Sequence, residues 1–261
     1  MTGWKDLRHY WKLKQWAVNA WAVMQSRGRR EGELAVRLHS GRVLTLRCDR
    51  QDYCIFDRIF LRDEYHLHDY IGEVNGCVVD IGANIGVFTC RIAGHVARVV
   101  SYEPMTSNVS LLKRNTSDFS NVEVVQGAVS GEPGMIRIYY PADETVSGGF
   151  SQFRVGALHQ EDAYDDVDAV TLDMLFDRHK IDRCDLLKID AEGAEYGILL
   201  GARPETLARI QRISGEYHNV RPGDPQCSMP TLKQRLESTG FTVLLQPKKG
   251  MDNHGLFFAR R

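Results

Sequence analysis

The sequence predicts an α/β fold built on a mostly parallel, doubly wound sheet, and three observations carry that expectation. Apolar runs of strand length alternate with helical patterns from Gly76 to the end of the chain. The first run, 77–81, opens into a glycine loop, Asp80-Ile81-Gly82-Ala83-Asn84-Ile85-Gly86. An acidic residue, Glu103, closes the second run about 20 residues further on.

The bulk composition agrees with one catalytic domain carrying an extension. The chain has 261 residues, 43% hydrophobic and 26% charged, an ordinary globular balance that can bury a full core. Its formal net charge of -1 leaves no global basic field, so no nucleic-acid partner is expected. Six cysteines are scattered with no CxxC pair and no zinc-site spacing, a usage that fits a reducing cytoplasm. Charges interrupt every N-terminal apolar stretch, and no run approaches membrane-span length. The expectation is therefore a cytoplasmic protein with no integral span.

In chain order, Trp4, Leu7, Trp11, Val18 and Trp21 recur at helical spacing, which predicts one helix from Trp4 to about Gln25. Its polar face is basic, through Lys5, Arg8, Lys12 and Lys14. A membrane surface could take such a helix. Aromatic stripes more often pack on protein, so burial against the domain or in a homodimer is the expectation. Runs 34–38 and 43–47, joined by Ser40-Gly41, read as a hairpin, and 52–70 as short helices. Residues 1–70 are thus a cap rather than an independent domain, and 71–261 form the main domain.

Within that domain, strands are expected at 77–81, 98–102, 122–125, 185–189, 210–215, 241–245 and 256–259. The last two form an antiparallel hairpin, which makes a seven-stranded sheet. Helices are expected at 87–93, 107–115, 172–179, 205–207 and 231–239. Runs 135–140 and 167–171 read as an antiparallel insertion with a glycine-rich loop between them.

The loop supplies the first functional inference. Gly82 and Gly86 let the backbone turn tightly and a ligand approach. Glu103 can accept hydrogen bonds from ribose hydroxyls. A pyrophosphate fingerprint would read G-x-G-x-x-G, and here Asn84 stands at the second glycine. Asp80 suits a cation better than a phosphate. S-adenosylmethionine has a sulfonium and no phosphate, so it is favoured over a nicotinamide cofactor. The rivals are a nicotinamide oxidoreductase and a non-catalytic nucleoside-binding protein.

Three stretches carry a family resemblance. They are Val79–Gly86 with Tyr102-Glu103-Pro104, then Leu187-Lys188-Ile189-Asp190-Ala191-Glu192-Gly193-Ala194-Glu195, and then Gly215-Glu216-Tyr217-His218. Together they resemble the FkbM-type methyltransferases across roughly 35–260. The resemblance implies a Rossmann-like class I methyltransferase fold and O-methylation of a small molecule, such as a polyketide, a sugar or another secondary metabolite. Relatives commonly carry Asn or Asp where Gln126 stands, ahead of Gly127-Ala128, to hold the adenine amine.

These observations assign expected roles. Asp80, Gly82, Asn84, Gly86, Glu103, Gln126, Ala128 and Asp190 are expected to bind the cofactor. Asp190, Lys188, Glu216 and His218 sit at or near strand ends and are the expected catalytic set. An unperturbed His218 titrates near neutrality and suits a general base. Lys188, inside an apolar strand, is expected to pair with Asp190 or Glu216. Glu195 is expected to stabilise a helix N-terminus. Tyr65, Ser147 and Glu192 are expected to face the substrate, with His66 and His68 forming a further wall. Asp190, Glu216 and Asn219 offer oxygen ligands for Mg²⁺, an option the spacing neither requires nor favours.

Overall fold

The computed structural model describes residues 4–49, 51–72, 76–143, 145, 149–154, 158–221, 223–248 and 254–261. The main sheet has seven strands in the order β11-β12-β10-β9-β3-β4-β5. These are β3 (Cys77–Ile81), β4 (Arg98–Glu103), β5 (Val122–Gln126), β9 (Leu186–Ile189), β10 (Arg212–His218), β11 (Thr242–Pro247) and β12 (His254–Arg260). Strands β5, β4, β3, β9 and β10 run parallel, while β12 lies antiparallel between β10 and β11. The strand order reverses beside β3, so the crevice at the carboxyl ends of β3 and β9 is where such a sheet takes a ligand.

Strand identity follows from burial on both faces. Val78, Val79, Leu186, Leu187 and Ile189 are wholly buried, as unbroken apolar runs in a parallel sheet should be. Helices α4 (Val87–Ile92), α5 (Thr106–Asn115), α6 (Leu172–Arg178), α7 (Glu195–Gly201), α8 (Pro204–Ala208) and α9 (Met229–Ser238) supply the layers. The sequence patterns do not separate α7 from the turn before it, because only seven residues form it. The insertion is a second sheet, β6 (Ala128–Val129), β8 (His159–Val170) and β7 (Gly134–Pro141). Its strands run well past the apolar stretches, and β8 is rich in acidic residues.

The N-terminal segment departs from one long helix. Helix α1 (Trp4–Trp16) stops, and α2 (Ala20–Ser26) begins after three intervening residues. Between them Ala17 bridges Leu38, and the Asn19 side chain bonds the backbone at Ala35 and Arg37. The hairpin β1 (Glu33–Arg37) and β2 (Val43–Arg47) thus captures backbone groups that a continuous helix would have used internally.

The Trp stripe also faces the other way. Leu7, Trp11, Val18 and Trp21 are exposed, whereas Leu13, Ala17, Val23 and Met24 are buried. That buried set joins Leu34, Phe56, Val78, Phe88, Ile92 and Val99 in one continuous core. The cap therefore shares its core with the sheet's helices. After β2 come α3 (Asp52–Phe56), a π-turn (Asp57–Leu61) and a short 3₁₀ turn (Leu67–Asp69), which lead Arg58 and Tyr65 toward the crevice. No helix among the described residues is long and apolar enough to cross a membrane.

Candidate active site

A cavity of about 480 Å³ opens at the carboxyl ends of the strands. Its lining includes the glycine loop, Glu103, the turn after β9, the end of β10 and the π-turn of the cap. The volume falls within the roughly 300–1,000 Å³ common for small-molecule sites.

The glycine loop is shaped by contacts on its outer side. Gly82 has φ +74°, and a Cβ there would lie 1.9 Å from the Asp190 carbonyl oxygen. Gly86 does not line the cavity. Its φ is +87°, and a Cβ would press on the Leu112 side chain at 2.5 Å, so this glycine serves the packing of α5.

Asp80 does not reach the ligand space either. It is wholly buried, accepts a hydrogen bond from Thr89 Oγ1 at 2.7 Å, and lies 3.2 Å from Lys188 Nζ. Lys188 also donates to the carbonyls of Gly82 at 2.6 Å and Ile81 at 3.2 Å. Its partner is therefore Asp80, not Asp190 or Glu216. The parallel register of β3 and β9 sets Asp80 directly opposite Lys188. Burial works against the lysine's charge, but Asp80 and then Asp190 raise its pKa above the usual value. The pair pins the glycine loop onto β9. Lys188→Met should leave Asp80 buried and unpaired and cost about 3–5 kcal/mol, read as a lower denaturant midpoint. Adding Asp80→Asn should restore part of that loss.

At the end beside the glycine loop, Glu103 is 5% exposed. Its Oε2 accepts from the Asn84 backbone at 2.8 Å, and its Oε1 from the Met105 backbone and Asn108 Nδ2. Burial raises its pKa, while these three bonds pull the other way. A carboxylate has about four acceptor positions, so one remains for a ligand hydroxyl. Asn108 Oδ1, beside it, is buried without a hydrogen-bond partner. Those two acceptors meet the needs of a ribose. Asn84, at φ +50°, Gly127 and Ala128 line the same end. Gln126 does not; it points outward and donates to Thr106 Oγ1.

The opposite end is a network of charged groups. Asp190 Oδ2 accepts from the Tyr65 hydroxyl at 3.1 Å, and its Oδ1 is buried with no hydrogen-bond partner. His218 Nδ1 contacts Glu195 at 3.0 Å, and its Nε2 faces Glu192 at 3.5 Å and Glu216 at 3.9 Å. Glu195 does more than begin α7. Its carboxylate also accepts from the backbones of Ala191 and Gly193 and shapes the turn that turns Glu192 inward at φ +47°.

These contacts change the expected protonation. Burial opposes a charge on His218, but Glu192, Glu195 and Asp190 together hold its pKa well above the usual range. The imidazole is thus a charged partner at neutral pH, not a free base. Burial, with Asp190 and Glu216 nearby, pushes Glu192 up to about 8, against the pull of His218. Glu192 keeps 29% side-chain exposure, so it remains open to exchange protons.

Glu216 is committed elsewhere. It pairs with Arg58, Lys248 and His254. Burial would raise its pKa, but the His254 hydrogen bond and the Arg58 charge outweigh burial and hold the carboxyl far below the ordinary range. His254 sits opposite His218 in the β10–β12 register, with ring centroids 4.2 Å apart. Among the described residues, two groupings have a metal-ligand composition, Asp190 with Glu192 and His218, and Glu216 with His218 and His254. Both need His218, which would first have to give up a proton. Asn219 does not line the cavity.

Of the expected substrate-facing residues, Tyr65 and Glu192 line the cavity, as do Gly149 and Phe150 of the insertion loop. Ser147 lies outside the described residues. His66 and His68 do not line the cavity, and the His66 ring packs on Phe258 with centroids 4.6 Å apart. Arg58, Asn108, Lys248 and His254 were not expected. None stands in a strand-end motif, and only the tertiary arrangement brings them in.

Fold and site together define the class I type of S-adenosylmethionine-dependent methyltransferase. A model of the methyltransferase FkbM domain matches residues 80–243, and the chain belongs to that family. The chain is similar to the AMB antimetabolite synthetase AmbE of Pseudomonas aeruginosa, with 28% identity over 270 residues. That match covers 88% of this chain and spans only 13% of the relative. It is also similar to Methyltransferase 1 of Beauveria bassiana, 28% identical across 65% of this chain and 73% of the relative. Among solved structures, the methyltransferase FkbM of Methylobacillus flagellatus aligns with 98% of this chain and 59% of its own, at TM-score 0.46 and 15% identity.

Proposed function

We propose that the chain methylates a hydroxyl of a small molecule, a secondary metabolite such as a polyketide or a sugar. The observation that carries this is the Glu192–His218–Glu195 chain, which ends in the cavity beside Asp190 and Tyr65. A hydroxyl has a high pKa and needs a base as it is alkylated. The His218 charge favours the ionised form of Glu192, which then takes that proton and becomes a neutral carboxyl. Asp190, held by Tyr65, orients the acceptor or the cationic part of the cofactor through its free Oδ1. Glu103 and Asn108 hold the ribose, and Gly82, Asn84 and Ala128 shape the rest of the cofactor's bed.

When bound, S-adenosylmethionine supplies a methyl on a sulfonium. The protein's contribution is then placement of the acceptor oxygen and removal of its proton. Residues 1–70 form the cap that closes this cavity with Arg58 and Tyr65, over a domain of 71–261. The antimetabolite synthetase name of one relative supports a secondary-metabolite acceptor.

The test is methyl transfer followed by mass spectrometry on hydroxyl- and amine-bearing acceptors. Gain of one methyl on oxygen is expected, and transfer only to nitrogen or carbon would overturn the reading. The rate should also follow the ionisation of Glu192, whose pKa lies at about 8. A raised carboxylate gains its basic form as pH rises. The rate should therefore climb through about pH 8 and then level, and a rate independent of pH across that window would remove Glu192 from the role.

A further inference from the structure

A second cavity, of about 210 Å³, lies outside the site described above, where the cap meets α4 and the end of α5. Two guanidinium groups, Arg42 and Arg91, line it, and no Asp or Glu does. Arg91 is only 9% exposed. Its Nε and that of Arg42 are buried without a hydrogen-bond partner, and neither arginine forms an ion pair among the described residues. Asp63 is the carboxylate that acts on Arg91 at a distance, but its oxygens are already bonded to the Leu67 and His68 backbones and the His68 ring.

Three aromatic side chains, Trp16, Phe60 and Phe119, share the lining with polar groups that include His39, His95 and Asn115. The Arg91 guanidinium lies 4.2 Å over Trp16 and 5.8 Å from Phe60, and Arg42 lies 4.2 Å over Phe119. Such contacts offset part of the cost of burying the charge. They satisfy none of the in-plane N–H donors, and buried arginines are otherwise almost always paired.

We propose that this cavity binds a small organic anion, a carboxylate or phosphate on a compact apolar body. The planar guanidinium edges match such head groups. Trp16, Phe60 and Phe119 cover the apolar part. The volume is below the roughly 300–1,000 Å³ of drug-sized sites, so the ligand is small. The site also backs onto the first cavity. Helix α4 presents Val87 and Phe88 to one and Arg91 to the other, and the π-turn does the same with Arg58 and Phe60. The anion is thereby placed to act as an effector of the methyl-transfer site.

Calorimetry on the whole chain tests this, with benzoate, phenyl phosphate and inorganic phosphate as probes. Saturating S-adenosylhomocysteine is added so that the first cavity is filled. Saturable binding of benzoate or phenyl phosphate is expected, and the tighter of the two identifies the head group. Binding should weaken roughly tenfold or more in Arg42→Gln and in Arg91→Gln. If Arg91→Gln does not fold, Arg42→Gln, at a half-buried position, decides. Absence of saturable binding by all three anions overturns the proposal. So does unchanged affinity in Arg42→Gln, equal binding of uncharged benzyl alcohol, or inorganic phosphate binding as well as phenyl phosphate.

Discussion

Replacing His218 with alanine is expected to lower kcat by roughly 10²–10⁴-fold while leaving affinity for S-adenosylhomocysteine nearly unchanged. The imidazole is held between Glu195 and Glu192, and its charge counters a crowd of carboxylates. Without it, Glu192, Glu195 and Glu216 face one another with one cation fewer. The carboxyl of Glu192 would rise further and hold its proton at the pH where it must accept one. Glu192→Gln keeps the side-chain volume and should lose kcat to a similar extent with a smaller effect on stability. Both positions lie away from Glu103 and Asn108, so calorimetric cofactor affinity separates a chemical defect from a binding defect. A normal single-turnover rate in Glu192→Gln would show that the base lies elsewhere, and in His218→Ala that its charge is not needed for the step.

The second large effect is on binding. Glu103→Gln should weaken S-adenosylhomocysteine by roughly 10–100-fold, with kcat at saturating cofactor close to normal. The carboxylate spends three acceptor positions on Asn84, Met105 and Asn108, and the amide offers fewer to share with a ribose. Its NH₂ would also confront the Asn84 N–H, a donor facing a donor. Calorimetry measures the loss directly. Equal affinity in the variant would mean that the ribose is held by other groups.

The sheet was legible because its strands are buried on both faces. Runs such as Val78–Ile81 and Leu186–Ile189 can be little else when they alternate with helical patterns. The cap was less legible. A helical period continues through Ala17–Asn19, yet the hairpin takes those backbone groups, and the exposed side carries Trp11 and Trp21. Periodicity reports that a stripe exists but not which stripe the rest of the chain covers.

In the site, the chain by itself determined the glycine loop, the acidic residue at the end of β4 and the Asp190–Glu195 turn, because each depends on residues near one another in sequence. Tertiary structure decided their partners. Strand register gave Lys188 to Asp80 and set His254 against His218. Chain packing carried Arg58 from the cap to Glu216, 158 positions away. The sequence shows that Asp80 and His218 are polar groups at strand ends, but what each does is set by the groups within a few ångströms. That is why one became a buried strut, and why the other is a proton-holding partner rather than a lone base.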